Sequence, residues 1–300
     1  MNPFLTCVWL SCMLVSAAAF AQIEPTFPDL DYAGDNHLRQ AMDLYVPSGL
    51  KGPAPVVIYI HGGAWRGGDK GEAMRYADSL LAGGYLIADI SYRLSKDSPW
   101  PAQIEDCKAA VRFLRLNTER FGIDSSRIGV MGHSAGGHLA AMLACGSHAQ
   151  KLEGPYLRDM GISSSVQAAI DFFGPTNFAR MSDFPPDPAW NCKTTLDHDS
   201  PDSPESELLG CPVPDCPDRV ALADPATYID GNEPPIWIVH GDRDCLVPAD
   251  QSRYLYERLQ QAGSPVELSI LEGEGHGGEA FTTPDMRGKI RRFFDAHLRK

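Results

Sequence analysis

Ser134 lies between glycines in the segment Arg127-Ile-Gly-Val-Met-Gly-His-Ser-Ala-Gly-Gly137, directly after an apolar, strand-like run. A serine hydroxyl is a weak nucleophile at neutral pH, so catalysis by serine needs a base within reach and donors for the developing oxyanion. Gly132 and Gly136 lack side chains and allow a strand and the following helix to pack closely around a sharp turn. The pattern predicts a nucleophile elbow in which Ser134 has a strained backbone conformation.

Candidate partners for this serine follow it in the order acid and then histidine. Asp244 opens a polar turn after an apolar run, and His276 lies in the glycine-rich loop Glu272-Gly-Glu-Gly-His-Gly-Gly278. A carboxylate can hold one tautomer of the imidazole, and a loop histidine can serve both the nucleophile and the leaving group. We therefore predict a catalytic triad of Ser134, Asp244 and His276, with Asp242 as the competing candidate for the acid.

A glycine pair follows the buried-strand pattern of Val56-Val-Ile-Tyr-Ile-His-Gly-Gly-Ala-Trp65. Backbone N–H groups at such a turn can stabilise the oxyanion of a tetrahedral intermediate, together with the N–H that follows the nucleophile. We assign Gly62, Gly63 and Ala135 to this oxyanion hole. An isolated G-x-S-x-G pattern is also compatible with an ordinary turn, but the four elements in this order indicate acyl transfer by an activated serine.

These motifs resemble those of the α/β-hydrolases, in the esterase branch that includes hormone-sensitive-lipase-like carboxylesterases and bacterial feruloyl and acetyl-xylan esterases. The resemblance covers most of the chain from Asp43 onward and rests on His61-Gly-Gly-Ala-Trp65, Asp89-Ile-Ser-Tyr-Arg-Leu94, Trp100-Pro-Ala-Gln-Ile-Glu-Asp106, Gly132-His-Ser-Ala-Gly-Gly137, His240-Gly-Asp-Arg-Asp-Cys-Leu-Val-Pro248 and Gly275-His276. It implies the α/β-hydrolase fold and places the acid two residues before Leu246, which favours Asp244 over Asp242. Ala64 stands where lipase-like members carry a third glycine, which points to the feruloyl-esterase-like members.

The segments that must position these residues alternate between strand and helix patterns. Apolar runs predict strands over 42–46, 56–61, 85–91, 128–131, 166–173, 236–240 and 266–271, and helices are predicted over 71–82, 101–117, 135–145, 249–262 and 284–298. This alternation predicts an α/β fold with a mostly parallel central sheet and helices on both faces. Each motif follows a strand, at the edge where ligands bind in open α/β sheets.

Length and the first residues suggest an exported chain with one catalytic domain. Its 300 residues, 43% of them hydrophobic, suffice for one large core, so we expect a single domain over residues 22–300. Residues 1–21 carry no charged side chain and end in Ala19-Phe-Ala21, an A-x-A cleavage pattern. We predict a signal peptide there and a secreted or periplasmic location, with a membrane-anchoring role as the alternative because a positive n-region is missing.

Cysteine usage agrees with export. Beyond the predicted signal peptide an even number remains, and three disulfide bonds are expected among Cys107, Cys145, Cys192, Cys211, Cys216 and Cys245. The sequence does not select the pairing, although Cys107 and Cys145 lie on helices expected to be neighbours. A disulfide at Cys245 would stiffen the turn of Asp244. The spacing of Cys211 and Cys216 does not match a zinc pattern, so no metal is predicted.

Residues 174–235 interrupt the alternation of strands and helices. This segment carries 12 of the 24 prolines and has 12 acidic against 3 basic residues, a composition that opposes long helices and central strands. Because this segment lies between the elbow and the acid in the sequence, we interpret it as a cap-like insertion that shapes the substrate pocket. The alternative is a solvated acidic loop with no role at the site. Calcium binding by its loop Asp197-His-Asp-Ser-Pro-Asp202 is an alternative, although carboxylates scattered in a loop usually contact only water.

Charge and aromatic residues limit the partners. A formal net charge of −13 without a basic cluster argues against nucleic acid and anionic membrane surfaces, so neutral or weakly charged esters are the expected substrates. We assign Trp65 and His133 to substrate binding, Trp65 by stacking on an aromatic acyl group or sugar ring and His133 at the pocket floor. Trp100, Trp190 and Tyr92 are weaker candidates for stacking, and simple packing is the alternative for all four aromatic side chains.

We therefore predict a serine esterase that hydrolyses small to medium esters, including feruloyl or acetyl esters of plant polysaccharide, by two-step acyl transfer and without a cofactor. Three alternatives stay open. An arylformamidase has similar turns, a peptidase of the prolyl-oligopeptidase type shares the triad, and a non-catalytic binding protein on the same fold would usually have lost a triad residue. The oligomeric state is not predicted.

Overall fold

Eight strands form one central sheet in the computed structural model, which describes residues 23–299; the predicted signal peptide lies outside these residues. The strands are β1 (Phe27–Asp31), β2 (Ala41–Tyr45), β3 (Ala54–Ile60), β4 (Leu86–Ile90), β5 (Ile123–His133), β6 (Ala168–Phe172), β7 (Ile236–Gly241) and β8 (Val266–Leu271). Their order across the sheet is β1-β2-β4-β3-β5-β6-β7-β8. β2 pairs antiparallel with both of its neighbours, β1 and β4. All other neighbouring strands of the sheet pair parallel. The predicted mostly parallel sheet is confirmed.

Helices cover both faces of this sheet. They are α1 (Met74–Ala82), α2 (Ala102–Leu116), α3 (Thr118–Phe121), α4 (Ala135–Cys145), α5 (Pro204–Leu209), α6 (Pro217–Ala223), α7 (Asp250–Ala262) and α8 (Pro284–Leu298). Successive strand side chains point to opposite faces, so Val56 and Ile58 of β3 belong to the core cluster that includes residues of α2, α4 and α7, whereas Val57 belongs to the cluster that includes residues of α1 and α8. Such strands must be apolar on both sides, which is why the parallel strands appear as continuous apolar runs in the sequence.

The predicted elements are all present, with ends that differ by a few residues. β1 was not predicted, because it is a short edge strand that contains Pro28 and pairs with β2 through an irregular register. The helices α3, α5 and α6 were also not predicted. α3 is a single turn of four residues that follows α2. The other two helices are short and begin with a proline, Pro204 or Pro217, at the first position, where an N–H would have no acceptor within the helix.

Two disulfide bonds connect cysteines of the described residues, in place of the three expected. Cys192 pairs with Cys245, and Cys211 pairs with Cys216. The expectation for Cys107 and Cys145 is wrong: both are free thiols, fully buried in the apolar core between α2 and α4. They pack there as small hydrophobic side chains, and burial raises the pKa of both thiols well above its usual range.

Among residues 23–299, no helix combines the length and the apolar composition that crossing a bilayer requires.

Candidate active site

Ser134 occupies the turn between β5 and α4, with φ 54° and ψ −121°. The predicted strained conformation is thereby confirmed. Both flanking glycines are required by close backbone approach. A Cβ atom on Gly132 would clash with the carbonyl oxygen of Gly136, and one on Gly136 would clash with that of Ile60. The turn therefore holds the serine at the carboxyl edge of the sheet, where the predicted catalytic residues lie.

Three side chains from distant parts of the chain meet at this edge. Nε2 of His276 lies 2.9 Å from Oγ of Ser134, and Nδ1 of the same ring lies 2.7 Å from Oδ2 of Asp244. Asp244 follows β7 and His276 follows β8, so the parallel pairing of these strands brings both residues to one end. The competing Asp242 instead accepts a hydrogen bond from the Gly273 N–H at 2.7 Å.

The carboxylate of Asp244 is fully enclosed. Its Oδ1 accepts hydrogen bonds from the N–H groups of Leu246 and Val247, at 2.8 and 2.9 Å. Burial alone would raise the pKa of this carboxyl, but hydrogen bonds from His240 and His276 lower the pKa well below its usual range. Asp244 is therefore ionised at neutral pH, as an acceptor for Nδ1–H of His276 must be.

His240, the last residue of the strand predicted over 236–240, is a further member of this cluster. Its Nε2 lies 3.1 Å from Oδ2 of Asp244 and 2.9 Å from the carbonyl oxygen of Val247, and its Nδ1 lies 2.7 Å from Oγ of Ser252. Because both partners of Nε2 are acceptors, Nε2 carries the hydrogen. The signal in the sequence was a histidine four residues before the acid, near the end of the strand that leads into the turn of Asp244.

The predicted oxyanion donors have different surroundings. The N–H of Gly62 donates to Nε2 of His133 at 3.2 Å and is already engaged, which corrects the predicted set. Gly63 and Ala135 both line the pocket that holds Ser134. Ala135 is the first residue of α4, where an N–H has no intrahelical acceptor and points toward the helix N-terminus. These two residues remain as candidate donors.

His133 lies on the wall of the pocket, and both of its ring nitrogens are engaged. Since Nε2 accepts from Gly62, Nδ1 carries the hydrogen and donates to the Tyr59 hydroxyl oxygen at 2.8 Å. Burial lowers the pKa of His133 to about 3, so the ring is neutral at physiological pH. A second ring, that of Tyr76, stacks on it with centroids 5.5 Å apart.

Trp65 borders the pocket but has no free face. Only 1% of the residue is exposed, and its ring makes edge contacts with His138 and Phe178 at centroid distances of 5.3 Å. Tyr92 and Trp100 are also buried. The predicted stacking of Trp65 on a substrate ring is therefore corrected in favour of the packing alternative.

The pocket around Ser134 has a volume of about 400 Å³. The proline-rich segment 174–235 supplies part of its wall through Pro175, Leu196, His198, Pro204 and Glu205. The Cys192–Cys245 disulfide joins this segment to the residue that follows Asp244. These contacts agree with the predicted position of the insertion beside the site.

From residue 23 to residue 299, no group of three or more His, Cys, Asp and Glu side chains is arranged to hold a metal ion. In the alternative calcium loop, Asp197 accepts a hydrogen bond from the Asp199 N–H, and His198 contacts Glu205.

The chain is similar in sequence to known esterases. Residues 42–259, well over half of the chain, match the family model described as BD-FAE. Esterase LipC of Mycobacterium tuberculosis is 31% identical over 228 residues, 75% of this chain and 53% of LipC. The chain thus spans about half the length of such curated relatives.

Solved structures give the same result. A truncated carbohydrate esterase from gut microbiota has a TM-score of 0.82 and 31% identity, over 91% of this chain and 96% of that one. A bifunctional GH43-CE protein of Bacteroides eggerthii has a TM-score of 0.79 and 33% identity, over 90% of this chain and 35% of that one. The family match over residues 42–259, together with these similar structures, shows that the chain belongs to the BD-FAE family of α/β-hydrolase esterases.

Proposed function

We propose that this protein hydrolyses carboxylic esters by acyl transfer to Ser134. The observation that carries the proposal is the contact chain from Oγ of Ser134 through the imidazole of His276 to Oδ2 of Asp244, with distances of 2.9 and 2.7 Å. Residues 22–300 act as one catalytic domain. No cofactor takes part, because proton transfer and backbone donors are sufficient for this chemistry.

In the first step, Nε2 of His276 takes the hydroxyl proton while Oγ of Ser134 attacks the ester carbonyl. Asp244 keeps Nδ1 protonated and stabilises the imidazolium that forms. The N–H groups of Gly63 and Ala135 stabilise the oxyanion of the tetrahedral intermediate. The imidazolium then protonates the leaving alcohol, and the C–O bond breaks to leave an acyl-enzyme.

In the second step, water replaces the alcohol. His276 removes a proton from this water as its oxygen attacks the acyl carbonyl, and the same donors stabilise the second oxyanion. Collapse of the intermediate returns the proton to Ser134 and releases the carboxylic acid. The histidine therefore serves as base and then as acid in each half of the reaction.

The substrates that we propose are small to medium esters, including acetyl or feruloyl esters of plant polysaccharide. A pocket of about 400 Å³ accommodates a small acyl group. Two similar structures, at 31% and 33% identity, are described as carbohydrate-esterase proteins, which supports this class. Phe173, Pro175 and Leu246 make much of the wall apolar, which suits uncharged acyl chains.

We also propose that the protein is secreted or periplasmic. The Cys192–Cys245 and Cys211–Cys216 disulfides support this location, because such bonds persist in oxidising compartments and are rare in the cytosol. N-terminal sequencing of the exported protein tests the proposed cleavage after Ala21. Recovery of a reduced, uncleaved chain from the cytosol would contradict it.

The function is tested with p-nitrophenyl esters of increasing acyl length, methyl ferulate and acetylated xylan, each assayed with the wild type and with Ser134→Ala. We expect hydrolysis by the wild type and a loss of kcat of about a thousandfold or more in the variant. Ser126→Ala is the matched control, because this serine is exposed near the other end of β5. Ester hydrolysis that persists in Ser134→Ala would contradict the mechanism.

A further inference from the structure

Two polar side chains of the pocket wall, His198 and Glu205, have no part in the proposed acyl transfer. Nδ1 of His198 lies 3.1 Å from Oε1 of Glu205. The two side chains are only 7% and 4% exposed. Both belong to the insertion 174–235, and both border the cavity that contains Ser134. A buried pair of this kind loses its hydration, so it needs compensating hydrogen bonds.

The hydrogen-bonding capacity of this pair is only partly used. Oε2 of Glu205 is buried and has no hydrogen-bond partner among residues 23–299. Because Oε1 of Glu205 is an acceptor, Nδ1 of His198 carries the hydrogen in their contact, which leaves Nε2 of a neutral ring as an acceptor. A buried carboxylate oxygen without a donor is unfavourable, and a donor on a bound molecule would relieve this cost.

Most other polar side chains of the cavity are already engaged, and Arg75, which also lines the cavity, is exposed to solvent. Ser134 and His276 contact each other, and both nitrogens of His133 are occupied. Apolar side chains make up much of the remaining wall, among them Phe173, Pro175, Leu196, Leu246 and Val247. In a mostly apolar pocket, a few convergent polar groups fix the orientation of the ligand. The His198–Glu205 pair is placed to do so.

We propose that His198 and Glu205 bind a hydroxyl group of the ester substrate and thereby select hydroxylated esters over plain alkyl or aryl esters. A hydroxyl group fits because it donates to Oε2 of Glu205 and can also accept. It belongs either to a sugar ring on the alcohol side or to a phenol on the acyl side. This inference rests on the proposed ester hydrolysis and adds the feature by which that site recognises its substrate.

The test compares two pairs of esters that differ in their hydroxyl groups. One pair is a monoacetate of methyl β-xylopyranoside and cyclohexyl acetate, and the other is methyl 4-hydroxycinnamate and methyl cinnamate. The measured quantity is the ratio of kcat/KM values within each pair. We expect the wild type to prefer the hydroxylated member of one pair by about tenfold or more, because a site built around a hydroxyl leaves buried groups unpaired without it.

Glu205→Gln keeps the side-chain volume and removes the charge, and we expect it to reduce this ratio about tenfold. His198→Gln is the second variant, with the same expected direction, in case Glu205→Gln does not fold. Glu207→Gln is the matched control. It lies on the same helix, but its carboxylate contacts Arg66 and is half exposed, so the ratio should not change.

Different failures have different meanings. Hydrolysis of both members of both pairs at similar kcat/KM by the wild type would overturn this inference alone. An unchanged ratio in both Glu205→Gln and His198→Gln would also overturn it. Absence of ester hydrolysis, or hydrolysis that persists in Ser134→Ala, would overturn the proposed function as well. The pair with the altered ratio identifies whether the hydroxyl belongs to the alcohol or to the acyl side.

Discussion

His240 and His276 share one acceptor, Oδ2 of Asp244, at 3.1 and 2.7 Å. The ring of His240 is fully buried between Ser252 and the carbonyl of Val247, so its position is fixed on both sides. A carboxylate held in this way presents its oxygen to His276 in one orientation. His240 is therefore a positioning residue for the proposed triad, acting through Asp244.

His240→Gln should lower kcat about tenfold or more with little change in KM, because it weakens a hydrogen bond to a charged group that orients the base. Steady-state kinetics with a p-nitrophenyl ester measures this. If the residue acts through the acid, the substitution should have little further effect in an Asp244→Asn background. Additive losses in this double-mutant cycle would instead indicate a merely structural role.

The Cys192–Cys245 disulfide should stabilise the fold and the turn of Asp244 together. It closes a loop with a sequence separation of 53 residues, and loop-closure entropy gives about 4 kcal/mol for this length. We expect Cys192→Ser/Cys245→Ser to lower both the unfolding free energy and kcat/KM, measured by denaturant titration and ester kinetics. Unchanged values of both would refute this prediction.

The matched control is Cys211→Ser/Cys216→Ser. This disulfide has a sequence separation of only five, for which the same relation gives about 2 kcal/mol. Both of its cysteines lie within the insertion, whereas the Cys192–Cys245 bond ends at the residue next to Asp244. We therefore expect a smaller loss of stability and a smaller loss of kcat/KM than for the first pair of cysteines.

Gly136→Ala should abolish activity and lower the unfolding free energy by about 2 kcal/mol or more, because the new methyl group would overlap the carbonyl oxygens of Ile60 and His61. Gly67→Ala is the matched control, since a Cβ atom there would meet no heavy atom within 4 Å. Thermal unfolding and ester hydrolysis of both variants check the difference. Equal stability of the two would show that the elbow has room for a methyl group.

Asp89 should make the stability depend on pH. Burial raises the pKa of its carboxyl to about 7, although the N–H groups of Ala73 and Gly71 partly oppose this. The folded state therefore binds this proton more tightly than the unfolded state, in which the pKa is about 3.9. Its contribution to stability is complete below about pH 4 and is lost as the pH rises to about 7.

We expect Asp89→Asn to remove this pH dependence of the unfolding free energy. The effect amounts to a few kcal/mol, because each unit of pKa difference corresponds to about 1.4 kcal/mol. Denaturant titrations of both proteins at pH 4, 5.5 and 7 measure the difference in unfolding free energy. As the pH rises, the wild type should lose stability relative to Asp89→Asn. A difference that is constant over these three values would show that the carboxyl does not titrate in this window.

The sequence was sufficient for the elbow, the triad candidates and the order of the main elements. These features depend on local physics. The glycines around Ser134 reflect contacts within one strand-turn-helix unit, and the parallel strands require unbroken apolar runs because both of their faces are buried. Asp244 and His276 were candidates because each follows such a strand and the ends of neighbouring parallel strands must meet, whereas the choice of Asp244 over Asp242 rested on the family resemblance.

Only the tertiary structure decided which groups were free for chemistry. The N–H of Gly62 is engaged by His133, 71 residues away, and Trp65 is enclosed by side chains that no local pattern identifies. His198 and Glu205 reach the pocket because the insertion folds back over it. Hydrogen bonds and burial between distant segments depend on packing in three dimensions, whereas a motif describes only neighbours along the chain.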